Sequence, residues 1–182
     1  MCLLAMISRV RRGWPLILAA NRDEFYVRPA RPMTVLRPRA PRILGGLDER
    51  AGGTWAAINE HGVIAALTNR PMGGAPDRSR QSRGELPLLL AAHRTARQAV
   101  EALVATVRPA SFNPCWLLVG DRASLHYLEI SDDLAEPRVR ELPPGIHVLE
   151  NAPLERTSAK SRRVAAALGQ QTGWSDDELL PQ

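Results

Sequence analysis

The stretch that decides the fold is MCLLAMISRVRRGWPLILAANRDE, residues 1–24. Two apolar runs, residues 2–7 and 16–20, flank a short basic turn and together predict a β-hairpin. In simple register, the end of the second strand lies level with the start of the first. The hairpin therefore predicts that Arg22 and Asp23 lie beside Cys2.

Outward from this hairpin, apolar runs separated by turn residues predict further strands. Residues 54–58 and 63–68 bracket Asn59-Glu60-His61-Gly62, a four-residue connection that ends in glycine. By contrast, residues 28–42 contain repeated prolines and predict a long surface loop. Four more strands are predicted in the second half of the chain, over residues 116–119, 125–130, 138–142 and 146–149.

Helical periodicity appears in two places. A long helix is predicted from the capping box Ser82-Arg83-Gly84-Glu85 to about Val107, because apolar residues recur on one helical stripe. A second helix is predicted over residues 158–168, and a further capping-box pattern lies at residues 175–178. Antiparallel sheets covered by helices indicate an α+β fold, which we expect to form a single domain over residues 1–182.

The amino-acid composition of the chain disfavours some classes of function. The chain has 182 residues, of which 45% are hydrophobic, and a formal net charge of +5. Its 24 basic residues include a single lysine, Lys160, and the arginines are scattered or interleaved with prolines. This distribution disfavours a nucleic-acid-binding face. No apolar run has the length of a membrane span, and the N-terminus lacks the basic segment of a signal peptide, so we expect a cytoplasmic protein.

Common metal and cofactor sites are not indicated by the sequence. Cys2 and Cys115 are the two cysteines, too few for a disulfide scaffold or a structural zinc site. The glycine pairs form no dinucleotide-binding or phosphate-binding loop. We therefore expect no metal and no required cofactor. The four histidines match no metal-ligand spacing. They are His61, His93, His126 and His147.

Cys2 is the residue best suited to chemistry. If Met1 is removed, the α-amine of Cys2 becomes the chain terminus, with an ordinary pKa of about 7.7–8.0, and can act as base for the thiol of the same residue. Such a site also needs a carboxylate, as in Asp23, and donors for an oxyanion. Asn69 and Asn151 follow predicted strands and carry such donors. Each residue also has a structural interpretation, as buried packing for the cysteine and as turn capping for the polar residues.

Short motifs occur along the chain in a fixed order. They are Met1-Cys2, Asn21-Arg22-Asp23-Glu24, Gly45-Gly46 with Asp48, Gly52-Gly53-Thr54-Trp55, Leu67-Thr68-Asn69, Ser82-Arg83-Gly84-Glu85-Leu86, Phe112-Asn113, Val119-Gly120-Asp121 and Pro144-Gly145-Ile146. In order and spacing they resemble the NRDE family, also called the transport and Golgi organisation 2 family. The similarity covers about residues 1–168, and the combination of motifs is specific.

This resemblance implies a four-layer αββα sandwich of antiparallel sheets, similar to the N-terminal nucleophile hydrolases. It also implies that Cys2 is the nucleophile, with its freed amine as the base, that Asp23 holds the amine and that Arg22 supports the site. Asn69 and Asn151 would help to stabilise the oxyanion. Related cysteine enzymes cleave amides of bile salts and penicillin V, and family members are associated with haem movement and with lipid or acyl-CoA metabolism.

The chain departs from the family pattern towards its C-terminal end. The third asparagine motif of the family reads Leu-Ser-Asn, whereas this chain has Leu149-Glu150-Asn151. Where the family has Trp-Pro-Lys, this chain has Thr157-Ser158-Ala159-Lys160. Family members continue into strands that bear a Tyr-Gly-Thr-Arg-Ser-Ser segment, and this chain reaches Gln182 without it. The resemblance therefore implies a chain shortened at this end, without an arginine that belongs to the family's site.

Two functional hypotheses remain open from the sequence. The first is a cysteine N-terminal-nucleophile hydrolase that acts on an amide or thioester of a small acylated compound. The second is a non-catalytic protein that uses the same cleft to bind and traffic haem or an acyl lipid or acyl-CoA. For a bound haem, the candidate axial ligands are Cys2, His61, His93 and His126. Neither hypothesis involves nucleic acid, and no oligomeric state is indicated.

Overall fold

The hairpin predicted from the opening stretch is present in the computed structural model, which describes residues 2–170. The strands of this part of the chain are β1 (Leu3–Arg11), β2 (Trp14–Asn21), β3 (Ala30–Arg37), β4 (Ile43–Asp48), β5 (Ala56–Asn59), β6 (Ile64–Asn69), β7 (Cys115–Gly120), β8 (Leu125–Ile130), β9 (Arg138–Leu142) and β10 (Gly145–Leu149). The helices are α1 (Glu85–Leu90), α2 (Ala96–Thr106) and α3 (Ala159–Gln170), with a short 3-10 helix at Pro109–Ser111. The strands predicted in the second half of the chain are confirmed as β7 to β10.

The smaller sheet has three strands in the order β10-β1-β2, all antiparallel. Its central strand, β1, is buried along most of its length, because side chains from both faces of β1 are covered. The register of the hairpin shifts once, between Ser8 and Arg11, near the basic turn. The predicted β1–β2 hairpin is therefore confirmed, and β10 closes the other edge of β1.

The larger sheet has seven antiparallel strands in chain order from β3 to β9. The prediction of a surface loop over residues 28–42 was wrong, since residues 30–37 form β3 and pair with β4. Strand β3 tolerates Pro32 because, among the described residues, it is an edge strand that pairs with β4 alone. Its register with β4 also shifts at this proline, between Arg31 and Met33, so the missing N–H costs no ladder bond.

The single long helix predicted from residue 85 to about residue 107 was also wrong, since α1 and α2 are separate. The side chain of Asn59 donates hydrogen bonds to the carbonyl oxygens of Ala91, at 2.8 Å, and His93, at 2.6 Å, in the break. A new helix then starts at the N-cap Thr95, whose side chain accepts a backbone N–H. Apolar periodicity continues through the break, so the pattern alone could not reveal it.

Two apolar layers lie on the two faces of the larger sheet. One layer joins this sheet to α1 and α2, and its largest members include Leu86, Leu90, Leu103, Leu117 and Ile130. The other joins the larger sheet to the smaller one, through Leu4, Met6, Trp116, Leu118 and Leu149. Each fully buried side chain of this size contributes roughly 1.5–3 kcal/mol of transfer free energy. The second layer holds the two sheets face to face.

Helix α3, predicted over residues 158–168, covers the outer side of the smaller sheet by packing on β10 and β1. The layers are therefore helix, sheet, sheet and helix, and the expected αββα sandwich is confirmed. Within residues 2–170, no helix is both long and apolar enough to cross a bilayer. The capping-box pattern predicted at residues 175–178 lies outside the described residues.

Candidate functional site

Four of the five residues predicted for the site line one cleft of about 570 Å³. Cys2 precedes β1, and the first residue of β1 is paired with the last residue of β2. Arg22 and Asp23 follow β2 and therefore reach the same cleft as Cys2. Asn69, the last residue of β6, lines this cleft too, because β6 packs against β1. The predicted hairpin register thus accounts for the meeting of the cysteine and the carboxylate.

The two cysteines are free thiols in different surroundings. Cys2 is half-buried in the cleft. Cys115, on β7, is fully buried among the apolar side chains between the larger sheet and the helices. Burial raises the pKa of the Cys115 thiol to about 12, and the Arg83 guanidinium offsets only part of this effect. Cys115 is therefore protonated and inaccessible at neutral pH, which leaves Cys2 as the cysteine able to react.

Asp23 and Asn151 are each held by another asparagine. The Asp23 carboxylate accepts a hydrogen bond of 2.6 Å from the side-chain amide of Asn21. Asn151, two residues after β10, is not among the residues that line the cleft. Its Nδ2 donates instead to the main-chain oxygen of Asn69, at 2.6 Å. The structure thus brings Asn151 to the backbone of Asn69 rather than to the cleft surface.

Arg22 is fixed by an aromatic ring and two carboxylates. Its guanidinium lies over the indole of Trp55, 4.6 Å from the ring centroid. Its Nη2 is 3.4 Å from Oδ2 of Asp48 and 3.7 Å from Oε2 of Glu24. Cation–π contact and ion pairing together hold the Arg22 side chain in the wall of the cleft.

Asp48 connects the charged side chains of this wall, a role that the sequence did not predict. Its Oδ2 accepts hydrogen bonds of 2.8 Å from the Arg28 guanidinium, and its Oδ1 accepts the backbone N–H groups of Arg50 and Ala51. Burial acts to raise the pKa of Asp48, but these hydrogen bonds outweigh it, so the pKa lies below its ordinary value. Arg28 was missed because it begins the proline-rich stretch that was interpreted as a loop.

The glycine motifs make room for this arrangement. A Cβ atom on Gly46 would overlap the indole ring of Trp55, and a Cβ on Gly45 would lie 2.5 Å from the carbonyl oxygen of Ala56. The glycine pair in β4 therefore lets Trp55 lie against the strand and support Arg22. Consecutive glycines within a strand signal such a close approach, and this was the available sequence signal for the wall.

A second wall of the cleft comes from residues 75–84. Asn113 anchors it, because its side chain accepts the backbone N–H of Asp77 at 2.9 Å and donates to the carbonyl oxygen of Asp77 at 2.7 Å. The cleft as a whole is rich in charge, with four carboxylates from Asp23, Glu24, Asp48 and Asp77. Its arginines outnumber them and are Arg22, Arg28, Arg50, Arg78, Arg80 and Arg83.

The four histidines lie away from this cleft, so Cys2 is the one candidate haem ligand that lines it. His126 is buried on β8 beside the Ser124 hydroxyl, and His147 on β10 contacts the carbonyl oxygen of Pro143. Among the described residues, no three side chains of the metal-ligating types are grouped as a metal site. A larger groove of about 760 Å³, between α2 and the β8–β9 connection, contains none of the predicted site residues.

Comparison with known sequences identifies relatives of the chain. A family model described as Transport and Golgi organisation 2 matches residues 1–180. The Transport and Golgi organization protein 2 homolog of Bos taurus is 44% identical over 79 residues, which are 42% of this chain and 28% of the relative. The Homo sapiens homolog is 47% identical over 62 residues, 32% of this chain and 22% of the relative. The matched segments therefore span less than a third of either relative.

Comparison with solved structures identifies the fold. An N-acylethanolamine-hydrolyzing acid amidase ortholog from Caenorhabditis elegans superposes with a TM-score of 0.67 at 12% identity, over 98% of this chain and 83% of that chain. A mutant of the conjugated bile acid hydrolase from Clostridium perfringens gives a TM-score of 0.55 at 14% identity, over 96% of this chain and 59% of that chain. At such identities the likeness shows a shared fold alone, and the chemistry has to be argued from the site.

Proposed function

This chain belongs to the Transport and Golgi organisation 2 family, and we propose that it is a cysteine hydrolase of the N-terminal nucleophile type. Its substrate is an amide or thioester of a small acylated compound. The observation that carries the proposal is the position of Cys2 in one cleft with Arg22, Asp23 and Asn69. The shared architecture with amide hydrolases supports it at the level of the fold.

The first step uses a single residue as nucleophile and base. Once Met1 has been removed, the neutral α-amine of Cys2 accepts the proton of its own thiol, and the thiolate attacks the carbonyl carbon of the substrate. Asp23 orients the resulting ammonium group, since its carboxylate lines the same cleft. Arg22, held by Trp55 and Asp48, adds a fixed positive charge beside the developing negative charges.

The second step is collapse of the tetrahedral intermediate. The side-chain amide of Asn69 donates to the oxyanion, while Asn151 fixes the Asn69 backbone through its 2.6 Å hydrogen bond. Asn151 is thus assigned a positioning role. The ammonium of Cys2 gives its proton to the departing amine or thiol, and the acyl group remains on Sγ as a thioester. Water, deprotonated by the same amine, then releases the acid and restores the thiol.

Removal of the thiol tests the proposal. Intact-protein and peptide mass spectrometry first establishes whether Cys2 is the N-terminal residue. Hydrolysis of fluorogenic N-acyl aminomethylcoumarin amides is then compared among the parent, Cys2→Ala and the matched control Cys115→Ala. We expect Cys2→Ala to lose at least about 10³-fold in kcat, because the covalent step requires the thiolate, and Cys115→Ala to retain activity. Retention of Met1, or full activity in Cys2→Ala, would contradict the proposal.

The alternative hypothesis, that the cleft binds haem or an acyl ligand without cleaving it, stays a prediction. The parent protein separates the two functions, because the hydrolase cleaves a bound acyl ligand whereas a binding protein releases it intact.

A further inference from the structure

Arg83 is a cationic side chain of the cleft that has no part in the proposed chemistry. Arg83 lines the cleft and is half-buried. Its Nη1 donates to the carbonyl oxygen of Pro114 at 3.3 Å. Among residues 2–170, no Asp or Glu side chain forms an ion pair with Arg83, and the titratable groups that affect its pKa are the Cys115 thiol and the Arg28 guanidinium. Its positive charge is therefore without a carboxylate partner in this part of the chain.

The better-buried arginines of the cleft differ from Arg83 in this respect. Arg22 and Arg28 share the carboxylate of Asp48. Arg80 is 3.4 Å from Asp77 and also pairs with Asp132, at 3.1 Å. Each of these guanidinium groups is paired with a carboxylate of the protein, and these pairs hold the two walls. Arg83 is half-buried and has no such pair among residues 2–170, whereas Arg50 and Arg78 of the same cleft are exposed to water.

The surroundings make this charge costly without a ligand. Burial lowers the pKa of Arg83, the Cys115 side chain acts in the opposite direction, and the positive charge of Arg28 adds a smaller lowering effect. A guanidinium that is partly removed from water and faces a second guanidinium is stabilised by an anion placed against it. The geometry of the cleft leaves that position open to a ligand, because Arg83 is one of its lining residues.

The backbone at Arg83 is held in place by Gly53 and Gly84. Their sequence motifs have no role in the proposed mechanism. Thr54 N–H donates to the carbonyl oxygen of Gly84 at 3.0 Å. A Cβ atom on Gly53 would lie 2.6 Å from the carbonyl carbon of Gly84, so the two segments touch at a distance that only glycine allows. The predicted capping box is absent, since α1 has Gly84 as its N-cap and no side-chain cap. The Ser-Arg-Gly-Glu motif instead presents Arg83 to the cleft.

We propose that Arg83 forms an anion-binding subsite in this cleft, which selects acylated substrates whose non-acyl part carries a carboxylate or a phosphate. The planar guanidinium can donate two parallel hydrogen bonds to either group. Pro114, which Arg83 contacts, directly precedes Cys115, and Cys115 is paired with Asn69. The anion is therefore bound next to the proposed oxyanion donor. The inference rests on the proposed function for the assignment of this cleft as the substrate site.

The experiment measures binding without hydrolysis. Isothermal titration of the full-length Cys2→Ala protein compares N-hexanoylglycine with its neutral analogue N-hexanoylglycinamide, and N-hexanoyl phosphoethanolamine with neutral N-hexanoylethanolamine. We expect an anionic probe to bind about tenfold more tightly than its neutral analogue, which is the effect of one charge-assisted contact. The pair with the larger ratio identifies carboxylate or phosphate as the preferred group.

Two further variants in the same background assign the preference to Arg83. Arg83→Gln is expected to abolish it, whereas the control Arg94→Gln, at an exposed arginine outside the cleft, keeps it. If Arg83→Gln does not fold, Arg83→Lys serves instead, with the preference reduced about threefold because an ammonium cannot form the forked pair. Absence of any preference or of binding in the Cys2→Ala protein would overturn the subsite. So would an equal loss of affinity for both analogues in Arg83→Gln, which indicates a structural role.

The outcome is separable from that of the proposed function. If the parent protein hydrolyses no substrate but the anion preference is present and depends on Arg83, the proposed hydrolysis is refuted and the anion-binding subsite is supported. Hydrolysis that depends on Cys2, with no difference between charged and neutral analogues, refutes the subsite and keeps the chemistry.

Discussion

The two cysteines of the chain lie in two regions that differ in exposure to water. One region is the end of the central strand of the smaller sheet, and the other is the interior between the larger sheet and its helices. Cys2 precedes β1 and borders a cleft with charged walls. Cys115 begins β7 and has no exposed surface. Both residues lie at an end of a buried strand, so local sequence does not separate them. The layer that covers the end of a strand therefore decides whether a thiol at that end can serve as a nucleophile.

The largest expected effect is the difference in thiol reactivity. With its pKa raised to about 12, Cys115 is almost entirely protonated at pH 7.5. We expect iodoacetamide to alkylate Cys2 at least about 10³-fold faster than Cys115 in the folded protein. Peptide mass spectrometry at several pH values measures both rates, and in 6 M guanidinium chloride the difference should disappear. Similar alkylation rates in the folded protein would contradict the expected difference in reactivity between Cys2 and Cys115.

A smaller effect distinguishes the two asparagines beside the cleft. Asn69→Ala should lower kcat about 10²–10³-fold, as expected for the loss of an oxyanion donor. Asn151→Ala should lower kcat only about tenfold with KM unchanged, because it removes one hydrogen bond to the Asn69 backbone. Steady-state kinetics on a fluorogenic amide gives both values. A larger loss in Asn151→Ala than in Asn69→Ala would reverse the roles assigned to them.

The smallest effect concerns stability. Cys115→Ser places a hydroxyl in the apolar layer and should lower the free energy of unfolding by about 1–3 kcal/mol, whereas Cys2→Ser, at the half-buried cleft, should change it by less than about 0.5 kcal/mol. Urea denaturation followed by circular dichroism provides both values.

The same pair of variants gives a pH signature. Because the pKa of Cys115 is about 12 when folded and about 8.5 when unfolded, the unfolded chain loses its thiol proton first. The free energy of unfolding of the parent should therefore fall as the pH rises above about 8.5, and Cys115→Ser should lack this component while Cys2→Ser keeps it. An identical alkaline slope in both variants would show that Cys115 is not the group responsible.

Much of the fold was predictable because its signals are local. The β1–β2 hairpin, the strands from β5 to β10 and helix α3 follow from apolar runs bounded by turn residues, and the register of the hairpin follows from its short turn. Strand β3 was missed since the rule that prolines break strands holds for central strands, and its edge position is a property of the whole sheet. The break between α1 and α2 depends on Asn59, about 30 residues earlier in the chain.

The candidate site was predictable to a similar degree. Cys2, Arg22 and Asp23 come together through one hairpin, and Asn69 joins them as the last residue of a predicted strand. Asn151 shares the same type of sequence signal, yet it binds the backbone of Asn69 instead of the cleft. The Asp48–Arg28 pair and the unpaired charge of Arg83 had no such signal, because ion pairing across loops is set by distance in space rather than in sequence.

The sequence by itself determined the antiparallel α+β architecture, the family and the strand ends at which polar residues gather, since each depends on residue type and spacing within a short window. Only the tertiary structure decided which of these residues meet. The packing of β1 on β6 places Cys2 and Asn69 in one cleft, the covering helices remove Cys115 from water, and the contact between Gly53 and Gly84 directs Arg83 to the ligand side. Burial and electrostatic pairing are properties of the assembled layers, and they decide which groups can react.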